Sequence, residues 1–159
     1  MKFEKFVKQL GGAGVIHNRA DGSKWLASCS AVMLIPDGVE GVIAEHITEM
    51  PQRIDTIIRK ELTGTPALLH RAVMPTGDSS IKECIRVYFS QDGTVKLPIS
   101  NDNWGLIDPK HDVVEILTEF DFDTNTAQPT ALLVKEYVGL EETRLAGVIF
   151  PDPEAVEYI

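Results

Sequence analysis

Cys29 is the side chain in this sequence with the plainest capacity for covalent chemistry. It lies between Ser28 and Ser30, in a stretch where Ala27, Ser28, Cys29, Ser30 and Ala31 are all small. A backbone stripped of bulk can admit a substrate to a nucleophile, and His17 or His46 could serve as its base. A catalytic thiol, however, needs a helix N-terminus or cationic neighbours to lower its pKa. Cys29 is flanked instead by Trp25 and by the aliphatic run Val32-Met33-Leu34-Ile35. Read as one pleated strand, the segment puts Trp25, Ala27, Cys29, Ala31 and Met33 on one face and Ser28, Ser30 and Val32 on the other. That pattern predicts a buried strand with a helix packed closely over its small residues, and a structural Cys29. The alternative is a small cytosolic enzyme that uses Cys29, or a carboxylate pair within acidic stretches such as residues 119–123 and 140–143.

Other chemistry is weaker. Asp121, Asp123 and Asn125 stand at the first, third and fifth places of a calcium loop. Thr126 and Leu132 occupy the places where such a loop has glycine and a bidentate glutamate. The segment therefore reads as a hydrogen-bonded turn between two strands. His17, His46, His70 and His111 show neither an H-E-x-x-H pattern nor an i, i+4 pair, so no metal site is expected. No phosphate loop, nucleophile elbow or dinucleotide fingerprint occurs. Gly11-Gly12-Ala13-Gly14 follows a predicted helix, the wrong order for cradling a phosphate at a helix N-terminus. No cofactor is expected.

The elements that would carry these residues are legible in outline. Phe3, Phe6, Val7 and Leu10 predict a helix over 2–10, stopped by Gly11-Gly12. A hairpin follows through Ala20-Asp21-Gly22-Ser23, its second strand ending at Pro36-Asp37-Gly38. Residues 39–47 fit a strand or a helix. Pro51 suits a first helical position, Met50, Ile54, Ile57, Ile58 and Leu62 form one apolar stripe, and Gly64 suits the C-terminal cap. Beyond Gly64 the period becomes two. Strands are predicted at 67–74, 113–120, 131–138 and 144–150, with a hairpin of Ile85, Val87, Phe89 and Val95, Leu97, Ile99 joined through Asp92-Gly93. The sum is an α+β domain over 1–151, with a loosely held acidic tail at 152–159. Its expected core includes Trp25, Leu34, Ile57, Ile58, Val87, Phe89, Leu133 and Ile149.

At 159 residues, with 43% hydrophobic and 25% charged side chains, the chain has the size and composition of one folded domain. It lacks a run long enough to span a membrane, and its first residues lack the pattern of a signal peptide. Two cysteines, Cys29 and Cys84, are too few for a disulfide framework, so a cytoplasmic protein with reduced thiols is expected. The net charge is −9, and nearly all the excess lies after residue 60. An acidic body repels nucleic acid unless cations gather locally.

The order of helix, turn segment 17–23, strand segment 24–36, helix and antiparallel strands ending in 145–151 resembles one domain of a DNA sliding clamp. In that family a short N-terminal helix leads into a hairpin. The second strand carries small residues before an apolar stretch, and the last strand ends apolar-apolar-Pro. Residues 26–34 and Val148-Ile149-Phe150-Pro151 would fill those places. The resemblance implies an antiparallel sheet or sheets with two helices packed on one face, and helices turned toward DNA. Lys2, Lys5 and Lys8 on the first helix and Arg53, Arg59 and Lys60 on the second would then form one cationic surface. Such a surface would hold DNA weakly and without sequence preference. A ring requires several such domains, so the chain would have to form a homo-oligomer or keep the fold as a binding module. The function expected is a non-enzymatic protein-interaction module accessory to DNA metabolism. Small phage-encoded proteins share the outline, which would make the partner a host factor.

Overall fold

The spacing of Phe3, Phe6, Val7 and Leu10 produces helix α1 (Phe3–Leu10), with Phe6 buried. Gly11 ends it at φ 55°, where its N–H reaches the Val7 carbonyl, a left-handed position that glycine adopts without steric cost. The computed structural model describes residues 1–73 and 84–158. Ten strands among them form one sheet: β1 (Val15–Asn18), β2 (Lys24–Ala27), β3 (Ala31–Leu34), β4 (His46–Glu49), β5 (Thr65–Val73), β6 (Ile85–Ser90), β7 (Lys96–Ser100), β8 (Asp112–Asp121), β9 (Thr126–Tyr137) and β10 (Thr143–Ile149). Their order is β4-β1-β2-β3-β10-β9-β8-β5-β6-β7. Every neighbouring pair is antiparallel except β1 and β4. The fold is thus a mixed α+β domain built on a large sheet.

The sheet turns at β5. Thr65 and Pro66 pair with β8, whereas Ala67–Val73 pair with β6 across an irregularity between Leu69 and Arg71. That turn brings Tyr88, Leu97 and Ile99 into one cluster with Ile116, Leu132 and Val134. Phe6 of α1 joins the same cluster through Leu26 and Met33.

The second helix, α2 (Gln52–Arg59), packs elsewhere. Its Ile57 and Ile58 meet Trp25, Ala27, Val32 and Leu133. Trp25 and Leu26 are consecutive on β2, as are Leu132 and Leu133 on β9, and consecutive strand residues point to opposite faces. Helices α1 and α2 therefore cover opposite faces of the sheet, which corrects the expectation that both pack on one. The sequence pattern allows this because both faces of the central strands are apolar. Val32 and Met33 are each buried, as are Leu132 and Leu133.

The small-residue stretch is not one strand. It breaks at Ser28-Cys29-Ser30 into the turn joining β2 to β3, with Ala27 opposite Val32. The Ser28 N–H donates to the Ala31 carbonyl at 2.8 Å. Ser28 Oγ accepts from the Ala31 N–H at 3.0 Å and from the Ser30 N–H at 3.2 Å. A serine hydroxyl thus replaces a backbone acceptor, as short polar side chains do in turns. Ala27 faces α2 and Ala31 faces the α1 side. Close packing on Ala27 and Ala31 is real, but Cys29 takes no part in it.

Three further expectations change. Leu62, assigned to the α2 stripe, is 88% exposed because the helix ends at Arg59 and a short 3-10 turn follows over Glu61–Thr63. Gly64 is extended rather than a left-handed cap. A Cβ there would stand 2.8 Å from Glu115 Oε1 and 3.0 Å from Leu133 Cδ1, so close approach to β8 and β9 requires the glycine. Finally, Pro153–Tyr158 forms a 3-10 helix in which Ala155 is fully buried against Ile85 and Val87, so the segment expected to be loose is anchored at that residue. Of the expected core, Leu34 and Phe89 are only partly buried. The four-residue helix α3 (Asn101–Trp104), capped by Ser100 Oγ, was too short to register as a period.

Candidate functional site

Cys29 is exposed and lines a cleft of about 730 Å³ between α2 and the β8–β9 hairpin. Arg53, Ile54, Glu119, Pro129 and Phe150 line it, and the Arg53 guanidinium carbon lies 5.7 Å from the centre of the Phe150 ring. Neither base considered for Cys29 lines this cleft. His17 is on β1, 8% exposed, with Nδ1 3.2 Å from Thr48 Oγ1. Burial pushes its pKa below the usual histidine value, which favours the neutral ring. His46 is on β4, where its Nε2 lies 4.0 Å from Glu45 Oε1. The nucleophile-base contact that thiol catalysis needs is not formed by these residues.

The six cations assigned to one surface divide between two. Lys2, Lys5 and Lys8 belong to the α1 side and Arg53, Arg59 and Lys60 to the α2 side, because the helices cover opposite faces. Four of them also contact protein groups. Lys5 Nζ donates to the Gly105 carbonyl at 3.2 Å, and Arg53 lies over Phe150. Arg59 Nε donates to Asp55 Oδ2 at 2.7 Å, and Lys60 Nζ to Glu119 Oε1 at 3.4 Å. Asp55 also accepts from Arg19, and that hydrogen bond leads the effects holding its carboxyl below the usual range. The Asp121–Asn125 segment is the turn between β8 and β9. Asp121 Oδ1 accepts from the Asp123 N–H at 2.9 Å, and Asn125 takes φ 55°. Among the described residues no group of three or more His, Cys, Asp or Glu is placed to hold a metal. The side chain of His70 lies outside the described residues.

The feature not found in the sequence is a contrast between the sheet's two ends. At one end β7 has Leu97, Pro98 and Ile99 buried. Pro98 has no N–H to offer, and its carbonyl accepts from the Asp152 N–H at 2.8 Å. At the other end all four residues of β4 are exposed. Ile47, opposite Ile16 in the register, is 66% exposed on the α1 face, and Ile43 is 75% exposed beside Gly12. A groove of about 330 Å³ opens next to them, between α1 (Phe3, Val7, Lys8) and the strap carrying Val39 and Val42.

This end is also strongly acidic. Residues 37–49 hold Asp37, Glu40, Glu45 and Glu49 and no Lys or Arg. All four carboxylates are exposed, and none pairs with a Lys or Arg of the described residues within 4.0 Å. The composition of this segment was available as a signal. Its position at an open edge was not, because residues 39–45 have no regular period and β4 is four residues long. Among the described residues, no helix is long and apolar enough to cross a membrane. No protein-family model, curated protein or solved structure matches the chain.

Proposed function

We propose that this chain is a non-enzymatic protein-interaction module that binds through the β4 end of its sheet. The observation that carries the reading is an exposed edge strand that carries Ile47, with Ile43 exposed on the strap that leads into it. Unpaired backbone beside exposed aliphatic surface is a template for another chain, and proteins ordinarily blunt such edges with lysine, proline or a covering segment. β7 carries proline and is covered from Asp152, whereas β4, four residues long and flanked by carboxylates, has no covering segment among the described residues. The resemblance of the sequence to a sliding-clamp domain favours partners among proteins of DNA metabolism, or host factors for a phage-encoded chain. Duplex DNA is the poorer ligand for this geometry, because the six cations divide over two faces of a body whose net charge is −9. The Cys29 cleft favours catalysis less, since neither His17 nor His46 borders it.

An mRNA-display selection of random peptides against the full chain tests the proposal. Binders are expected to lose affinity for an Ile47→Asp variant and to keep it for Leu140→Asp, a fully exposed site on the β9–β10 turn. Recovery of no binders, or of binders indifferent to Ile47→Asp, would overturn it.

A further inference from the structure

We infer that the occupant of the β4 edge is an extended segment that flanks an aliphatic residue with lysine or arginine two positions away on either side, added to the sheet as an eleventh strand beside the ten among the described residues. The inference rests on the interaction reading above and names the partner's chemistry. Three observations meet at this edge. The strand is exposed over its whole length, and among the described residues none pairs with it on the side away from β1. Ile47 and Ile43 leave aliphatic surface on the α1 face. Glu45 and Glu49 flank Ile47, with Asp37 and Glu40 on the adjoining strap, and none has a Lys or Arg nitrogen of the described residues within 4.0 Å.

Each observation specifies one property of the occupant. Open ladder positions call for a backbone in the β conformation, since main-chain hydrogen bonds supply affinity when a strand is added to an edge. Side chains two apart on a strand share a face, so Glu45 and Glu49 flank Ile47 on one face of the edge. A partner residue beside Ile47 is therefore aliphatic, and the residues two positions to either side of it are cations. A second copy of this chain offers the wrong charge. Pairing β4 with itself would bring eight exposed carboxylates together, four from each copy.

The test uses the full chain and a short labelled peptide with lysine, valine and lysine at every second position and threonine between, followed by fluorescence anisotropy and hydrogen exchange. Binding is expected to protect amides of residues 46–49 and to weaken as salt rises. The same peptide with glutamate in place of lysine should not bind, and N-methylation of alternate backbone nitrogens in the lysine peptide should abolish binding. The Glu45→Lys/Glu49→Lys variant, changed only at exposed positions, should bind the basic peptide about tenfold or more weakly. Unchanged affinity in that variant would overturn the inference. So would tolerance of N-methylation, which marks charge attraction without strand addition. A dimer in light scattering whose β4 amides are already protected would assign the edge to a second copy and overturn it as well. Display-selected peptides that depend on Ile47 but carry no cations would overturn this inference alone and leave the interaction module standing.

Discussion

The sheet ends in two ways. At β7 the backbone edge runs through Pro98, the side chains of Leu97 and Ile99 are buried, and Asp152 donates across to the Pro98 carbonyl. At β4 no described segment covers the outer side, and the side chains that border it are Ile47, Ile43 and unpaired carboxylates. The ends differ in what holds them. β7 is held by side-chain burial in the α1-side core, whereas β4 is held mainly by its backbone ladder with β1 and by contacts such as His17 with Thr48. An edge that contributes little burial can be left open without weakening the rest. The comparison teaches that side-chain burial anchors one end of the sheet, while the other end is left to its backbone ladder.

The largest test of that division is Leu97→Ala. It empties a fully buried position between β7 and the central strands, and it should cost roughly 2–5 kcal/mol in chemical denaturation. A cost below about 1 kcal/mol would show that β7 is not the anchored end. Next in size is Ala31→Leu. Ala31 is fully buried under the α1 side, and the added bulk should destabilise by roughly 1–3 kcal/mol. Wild-type stability in that variant would count against close packing over the β2–β3 turn.

A pH effect joins the β4 end to the interior. The folded pKa of His17 is lowered by burial, so between that value and the unfolded value of 6.5 the unfolded chain binds more protons. The stability tied to a neutral His17 is complete above pH 6.5 and is lost as pH falls toward the folded pKa. Denaturation midpoints should decline over that window in the wild type and decline less in His17→Gln. An identical decline in both would assign the effect to other groups. The smallest effect belongs to the open edge. Ile47→Thr keeps a β-branched side chain and removes exposed aliphatic surface, and it should alter stability by no more than about 0.5 kcal/mol. Its effect should appear in peptide binding instead. A large stability loss would mean that Ile47 is structural and would erase the contrast between the two ends.

Cys29 gives a separate check on the rejected chemistry. An exposed thiol on a turn with no histidine in its cleft should react with iodoacetamide at the rate of an ordinary free cysteine. Reaction at the rate of an activated thiolate would revive the enzyme reading.

Local rules in the sequence recovered most elements. The i, i+3, i+4, i+7 spacing placed α1, and Asp92-Gly93 placed the β6–β7 turn. There Gly93 takes φ 72°, and hydrogen bonds from Ser90 and Thr94 hold the Asp92 carboxyl down to about 2. Local rules failed where two solutions share one pattern. Five small residues in a row fit a buried strand and a tight turn equally well, and the Ser28 hydroxyl bonding to Ala31 decided for the turn. The site was hardly legible. The acidic run over 37–49 was visible as composition, yet an edge exists only through the order in which strands assemble.

What the sequence determined by itself was class and local form: an α+β chain, helices set by apolar spacing, turns set by glycine and short polar side chains, and an acidic balance. These follow from the chain's nearest neighbours. Tertiary structure alone decided that α1 and α2 cover opposite faces, that six cations therefore form no common surface, and that β4 stands open while β7 is sealed. Each depends on which distant strand lies alongside which. A strand with two apolar faces carries no mark of the helix that will cover either one, because burial is non-directional and either face satisfies it.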